Sequence, residues 1–244
     1  MNKFLRKINY FKNSLFNNQI VEINKIKIDV SHEIFSKKHR YDILSGGYER
    51  HPIRILKKTI NKKDIFLECG SGIGFITLNI CKYLNYNQVF SIEANPTLVK
   101  IAKLNFELNN INPHIFNYAI HHEKGEILTF FSKNNDFLTS YNYKNESSKY
   151  NDNQFTIETL SLETIIKENN ISYLFLNIEG GEYDCIMNSK INNLKKLLVL
   201  YDLKKTTLDK KNDLEKKLSS IGLVSKLKLR DRLVYYENVN SHQT

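Results

Sequence analysis

The stretch FLECGSGIGF at residues 66–75 places glycines at positions 70, 72 and 74 directly behind a short apolar run that ends in an acid, and a helical segment follows at once. A chain that leaves a strand through alternate glycines and enters a helix is opening a βαβ unit. Residues without a Cβ permit the tight turn and let backbone amides approach a ligand at the helix start. Short apolar runs then keep alternating with segments of helical period, the pattern of a parallel sheet. DIFLEC (64–69), QVFSIEA (88–94), HIFNYAI (114–120), SYLFLNI (172–178) and KLLVLYDL (196–203) read as its strands. Helices are expected over GFITLNICKYL (74–84), over 96–110 with Pro96 in the first turn, after Ser161, and over 209–222 with Gly222 closing the last. LVSKLKL (223–229) and RLVYYEN (232–238) form a closing hairpin, and EILTFF (126–131) alternates like a strand. The polar stretch 132–153 has no core pattern, and loops of that length inside a compact domain are functional lids or disordered segments.

The chain has 244 residues, enough for one large α/β domain, expected over 45–244 behind a basic lead-in of residues 1–44. Its formal charge of +10 is spread over lysines along the whole length, which reads as solvated helix faces, so a nucleic-acid partner is not expected. Three scattered cysteines, Cys69, Cys81 and Cys185, exclude a disulfide framework and have no zinc-ligand spacing, so no metal is expected and a reducing, cytoplasmic setting fits. No apolar run is long enough to span a bilayer. Phe4, Leu5, Ile8, Phe11, Leu15 and Phe16 recur at helical spacing opposite Lys3, Arg6, Lys7 and Lys12. That helix either docks on the domain core or a second subunit, or lies on anionic lipid at the inner membrane surface.

In a parallel α/β sheet, ligands bind beyond the carboxyl ends of the strands. Dinucleotide folds place a pyrophosphate over G-x-G-x-x-G. Here the turn is E-x-G-x-G-x-G, and Glu68 so close to it repels a pyrophosphate but accepts hydrogen bonds from an ammonium group. S-adenosylmethionine carries an α-amino group and a sulfonium and no phosphate. Glu93 ends the next strand, where a carboxylate can accept both ribose hydroxyls.

GGYE (46–49), FLECGSGIGFITL, FSIEANP, NYAIHHEKGEI and above all LNIEGGEYDCI (176–186), in this order, resemble the FkbM-type S-adenosylmethionine-dependent methyltransferases over residues 45–203. The resemblance implies a Rossmann-like fold with a mostly parallel seven-stranded sheet and an antiparallel C-terminal hairpin strand. It implies S-adenosyl-L-methionine as cofactor and methyl transfer to a hydroxyl of a sugar, glycan or glycolipid. Expected cofactor contacts are Tyr48 and Glu49 over the methionine end, then Glu68, Gly70, Ser71, Gly72, Gly74, Phe75, Glu93, Ala94, Asn95, Asn117, Ala119 and Asn177. Asn177 stands where the family usually has Asp, which removes a charge near the transfer site. Glu179 is the first candidate for the catalytic base, with Asn177 and Glu182 beside it and His121, His122 and Asp202 as other strand-end groups; Ser140 and Tyr141 are candidate acceptor contacts. Two alternatives stay open: an RNA methyltransferase, and a module that binds cofactor or glycan without turnover.

Overall fold

Two lead-in helices and a hairpin precede the main sheet in the computed structural model, which describes residues 3–14, 19–132, 140–142, 153–203 and 206–242. In chain order these are α1 (Lys3–Ser14), the hairpin strands β1 (Ile20–Ile23) and β2 (Ile26–Asp29), and α2 (Lys37–Leu44). The first βαβ units comprise α3 (Arg50–Thr59), β3 (Phe66–Cys69), α4 (Phe75–Ile80), β4 (Val89–Ile92), α5 (Pro96–Leu108) and β5 (His114–Phe116). An inserted sheet contains β6 (Ala119–His121), β7 (Ile127–Ser132), β8 (Ser140–Asn142) and β9 (Asn153–Ser161). The chain closes with α6 (Leu162–Glu168), β10 (Tyr173–Leu176), α7 (Glu182–Asn188), β11 (Lys196–Leu200), α8 (Leu208–Ser220), β12 (Leu223–Leu229) and β13 (Leu233–Asn238).

The main sheet has seven strands in the order β12-β13-β11-β10-β3-β4-β5. Strands β5, β4, β3, β10 and β11 run parallel, and β13 inserts antiparallel between β11 and β12. This is the expected Rossmann-like sheet with its antiparallel hairpin strand. All four residues of β3, β4 and β10 are buried, as strands covered on both faces must be. Successive side chains point to opposite faces. Phe66, Tyr173 and Phe175 therefore join one core, with Ile73, Phe75 and Phe106, while Leu67, Leu174 and Leu176 join the other, with Ile165, Leu214 and Leu218. Pro96 starts α5 behind the cap Asn95, Ser161 caps α6 through the Thr164 amide, and Gly222 follows α8 at φ +85°, each as read from sequence.

Three departures from the sequence reading matter. HIFNYAI is not one strand: Asn117 and Tyr118 break it, so β5 pairs with β4 in the main sheet while β6 pairs in parallel with β9 in a second, four-stranded sheet. Helix α4 stops at Ile80, and Cys81 to Leu84 continue as turns. The stripe of α1 is not sunk into the domain. Arg6 Nη2 donates to Asp42 Oδ1 at 2.6 Å and Tyr10 packs on Tyr41, while Phe4, Leu5, Ile8 and Phe11 stay exposed; Leu15 and Phe16 lie outside the described residues. The rest of the lead-in belongs to the core: Val21, Ile23, Ile26 and Ile28 are buried in the same cluster as Phe66 and Phe106. Among the described residues no helix is long and apolar enough to cross a membrane.

Candidate active site

The carboxyl ends of β3, β4 and β10 open into a cavity of about 410 Å³. Their residues reach it because the turns after β3 and β10 take left-handed backbone, at Gly70, Gly72 and Gly74 and at Glu179 and Gly180. Gly70 has φ +82°, and a Cβ there would lie 1.9 Å from the Asn177 carbonyl oxygen, so only glycine lets β3 and β10 close together at this point. The Gly70 and Ser71 amides donate to the Ile92 carbonyl at 2.9 and 3.1 Å, which bends the turn across the end of β4. Glu93 fixes it there. Its Oε2 accepts from the Gly72 amide and its Oε1 from the Asn95 amide, both at 2.8 Å. A carboxylate has about four lone-pair sites, so two remain for a ligand diol.

Tyr48, Glu49, Glu68, Gly70, Ser71, Gly72, Phe75, Glu93, Ala94, Ala119, Asn177 and Glu179, all expected from sequence, line this one cavity. Four of them are carboxylates, and none of the lining residues is Lys or Arg. Glu68 accepts a 2.5 Å hydrogen bond from Thr77 Oγ1, yet burial still holds its carboxyl well above the usual range. Glu93 is raised by burial as well, against the pull of its backbone hydrogen bonds. Burial, with Glu179 adding to it and Arg232 opposing, lifts Glu49 to about 7. The Tyr48 phenol, buried and facing Glu49, Glu68, Glu93 and Glu179, is pushed up strongly and stays protonated.

The structure does not bring four expected residues to the cavity wall, and each has another task. Gly74, φ +77°, would put a Cβ 2.5 Å from the Phe106 ring, so it serves the packing of α4 on α5. Asn95 caps α5, its side chain accepting from the Thr97 amide at 2.9 Å. Asn117 Nδ2 donates to the carbonyls of Glu93 and Ala94 at 2.9 and 3.0 Å and braces the end of β4. Glu182, fully buried, accepts from the Ile178 and Gly180 amides at 3.0–3.1 Å. It ties the turn that presents Asn177 and Glu179, and is a positioning residue. Asp202 starts the turn toward α8, its carbonyl accepting from the Thr206 amide at 2.8 Å, and is not among the cavity residues. His121 lines the cavity and His122 does not. The side chains of Ser140 and Tyr141 lie outside the described residues.

Sequence reasoning missed an apolar sleeve of Ile92, Leu98, Ile120, Leu128 and Phe130, together with Asp184 and Cys185. Leu128 and Phe130 share one face of β7, and their alternation was the available signal.

The profile of the Methyltransferase FkbM domain matches residues 68–218, which includes the end of β3 from Glu68, the whole acidic pocket beyond Tyr48 and Glu49, and most of α8. The chain belongs to the FkbM methyltransferase family. This FkbM chain is also 30% identical over 99 residues to a Methanocaldococcus jannaschii protein provisionally named a protein N5-glutamine methyltransferase. That match covers 40% of this chain and 44% of the relative. Among solved structures, the M. capricolum TrmK complex with S-adenosyl-homocysteine gives a TM-score of 0.44 at 12% identity, covering 77% of this chain and 68% of TrmK. Precorrin-6y C5,15-methyltransferase from Geobacter metallireducens gives 0.43 at 10% identity, covering 77% and 89%.

S-adenosylmethionine is the cofactor of this family, and the residues present fit it. A cavity with five carboxylates and no Lys or Arg in its lining is complementary to a ligand bearing a sulfonium and an ammonium. The Ser71 hydroxyl is buried there without a hydrogen-bond partner among the described residues, the state of a group that awaits a ligand. In the FkbM pocket Ser71, Glu68 and the Gly72 turn would hold the amino-acid end, Glu93 the ribose, and the sleeve of Ile92 and Leu98 the adenine.

Proposed function

We propose that this chain transfers the methyl group of S-adenosylmethionine to a hydroxyl oxygen, and that a sugar hydroxyl of a glycan or glycolipid is the acceptor. The observation that carries this reading is the pairing of Glu49 and Glu179 in the acidic cavity. Both sit on left-handed backbone, at φ 49° and 54°, so each carboxylate is held in place by a conformation that a non-glycine residue rarely adopts.

Bound S-adenosylmethionine supplies an electrophilic methyl group. Glu179 orients the acceptor hydroxyl and takes its proton as the new carbon–oxygen bond forms, and Glu49 shares the proton through its mutual repulsion with Glu179. A bound sulfonium donor would leave as a neutral thioether holding the carbon–sulfur electron pair, so a positive charge would be lost as the Glu179 carboxylate is neutralised. The net charge of the buried site is then the same before and after transfer, which spares it any large reorganisation. Asn177 supplies a neutral hydrogen-bonding group, so the chemistry does not need the acid found in other family members. A neutral polyol enters this cavity freely, whereas the five carboxylates oppose a polyphosphate. The aromatic Tyr118 and Phe130 offer faces on which a sugar can stack.

Incubation with methyl-labelled cofactor and, in parallel, cell-envelope glycan, total RNA and protein tests the reading. Label is expected in glycan and resistant to mild base, as an ether is. Label confined to RNA would overturn the acceptor class, and label on a protein glutamine would move it to the class for which the archaeal relative is named.

A further inference from the structure

The turn that follows β6 brings together a group of side chains that methyl transfer does not use. His121, His122 and Glu123 each point one ligand atom into the same space, all within 4.8 Å of one another. The two imidazole rings lie 4.0 Å apart between centroids. His122 Nε2 is 3.8 Å from Glu123 Oε1, and His121 Nδ1 is 3.8 Å from Glu126 Oε2. These separations are too long for hydrogen bonds. They suit a central ion, because two bonds of about 2.0–2.2 Å to nitrogen and oxygen ligands span them with an angle at the metal.

The backbone holds the group in place. Gly125 at φ +83° turns the chain, its amide donates to the Thr159 carbonyl at 3.0 Å, and the Glu126 amide donates to Thr159 Oγ1 at 2.9 Å. His122 Nδ1 is buried with no hydrogen-bond partner among the described residues, which leaves Nε2, on the side of Glu123, as the nitrogen to ligate. His121 Nδ1 accepts from the Glu123 amide at 3.2 Å, a long bond that an ion can replace.

We propose that His121, His122 and Glu123, with Glu126 in reach, bind one divalent transition-metal ion of the zinc, cobalt or nickel type at the rim of the cavity. Two imidazoles among the donors select these ions over Mg²⁺ and Ca²⁺. Because His121 also lines the cavity, the ion stands beside the space for the acceptor, with coordination positions left for water or an acceptor oxygen. The site stands on its own ligands and not on the methyl-transfer reading, since neither cofactor nor acceptor enters its test.

The test is titration of the full chain, without a polyhistidine tag, with Co²⁺ followed in the visible spectrum, Zn²⁺ by competition, and Mg²⁺ alongside. One Co²⁺ per chain, displaced by Zn²⁺ and not by Mg²⁺, is expected. His122→Asn and Glu123→Gln should each weaken it by more than the roughly 10–100-fold that loss of an outer-shell partner costs, and His32→Asn should leave it unchanged. Glu123 is exposed, so its variant keeps the fold and decides the matter if His122→Asn does not fold. No saturable binding at millimolar ion, binding that survives Glu123→Gln unchanged, or equal binding of Mg²⁺ would each overturn the proposal.

Discussion

On the floor of the cavity, Glu68, Gly72, Glu93 and Asn177 sit at the ends of adjacent parallel strands, tied to backbone amides and to Thr77. On the wall, Ala119, His121, Leu128 and Phe130 come from the inserted four-stranded sheet, whose stacked Phe130–Phe155 pair, 5.5 Å between centroids, is half-buried. The floor's acids, Glu68 and Glu93, are buried and held by hydrogen bonds; the wall's groups are apolar or aromatic and held by pairing between short strands. The difference teaches a division of labour. On the proposed reading the floor holds the cofactor and the protonation chemistry, and the wall selects what is methylated.

Breaking the floor at its reacting end should give the largest effect. Glu179→Gln is expected to lower turnover by about 10²–10⁴-fold while cofactor affinity holds, since a general base contributes on that scale. A steady-state assay on a verified acceptor, paired with calorimetric cofactor binding, reads both. Full turnover in the variant would transfer the base to Glu49.

Next in size is Glu93→Ala. It removes the acceptor for two ribose hydroxyls and for the Gly72 and Asn95 amides, and a hydrogen bond to a charged group is worth about 1.5–3 kcal/mol. Cofactor affinity should fall at least about 10-fold, measured by calorimetry on protein whose circular dichroism is intact. Unchanged affinity would make Glu93 a purely structural brace of the turn.

The wall should respond differently. Phe130→Ala is expected to raise the acceptor KM by roughly fivefold, on the order of 1 kcal/mol for loss of one aromatic contact, and to leave the cofactor Kd near its wild-type value. An equal loss on both ligands would erase the division between floor and wall.

Much of the floor was legible in the sequence and little of the wall. Glu68, Gly70, Gly72 and Glu93 could be read because parallel strands are continuous apolar runs, which makes an acid or glycine at their end conspicuous. Gly74 and Asn95 were misleading for the same reason: residues demanded by helix packing and helix capping share the turn with residues that face the ligand. Glu182 looked catalytic beside Glu179, but its spacing lets it reach back to the Ile178 and Gly180 amides, a local bond that composition does not reveal. The wall depends on β6 leaving the line of β5 after Phe116 to pair with β9, roughly forty residues on. No local periodicity encodes that partner, and the alternation of EILTFF marks a strand without saying what Leu128 and Phe130 face.

The smallest effect concerns pH. Glu49 carries its proton up to about 7 when folded, against 4.5 for an ordinary Glu. The folded state therefore binds more protons than the unfolded one between those values, and stability falls as pH rises through that window. Glu68 and Glu93 shift in the same direction. The melting temperature of the ligand-free protein should decline from pH 5 to pH 8, and the decline should be shallower in Glu49→Gln. A slope that is identical in the variant would show that Glu49 is ionised and solvated throughout.

The claim on which the rest depends is that the acidic floor takes a cationic, phosphate-free cofactor. Thermal unfolding of the wild-type chain with S-adenosylmethionine, S-adenosyl-homocysteine or NAD in separate samples tests it most directly. At 100 times Kd a ligand specific to the folded state contributes about 2.7 kcal/mol, roughly 5–10 °C for a chain of this size. The account predicts such a rise with S-adenosylmethionine or its demethylated product and none with NAD; a rise with NAD and none with S-adenosylmethionine would contradict it.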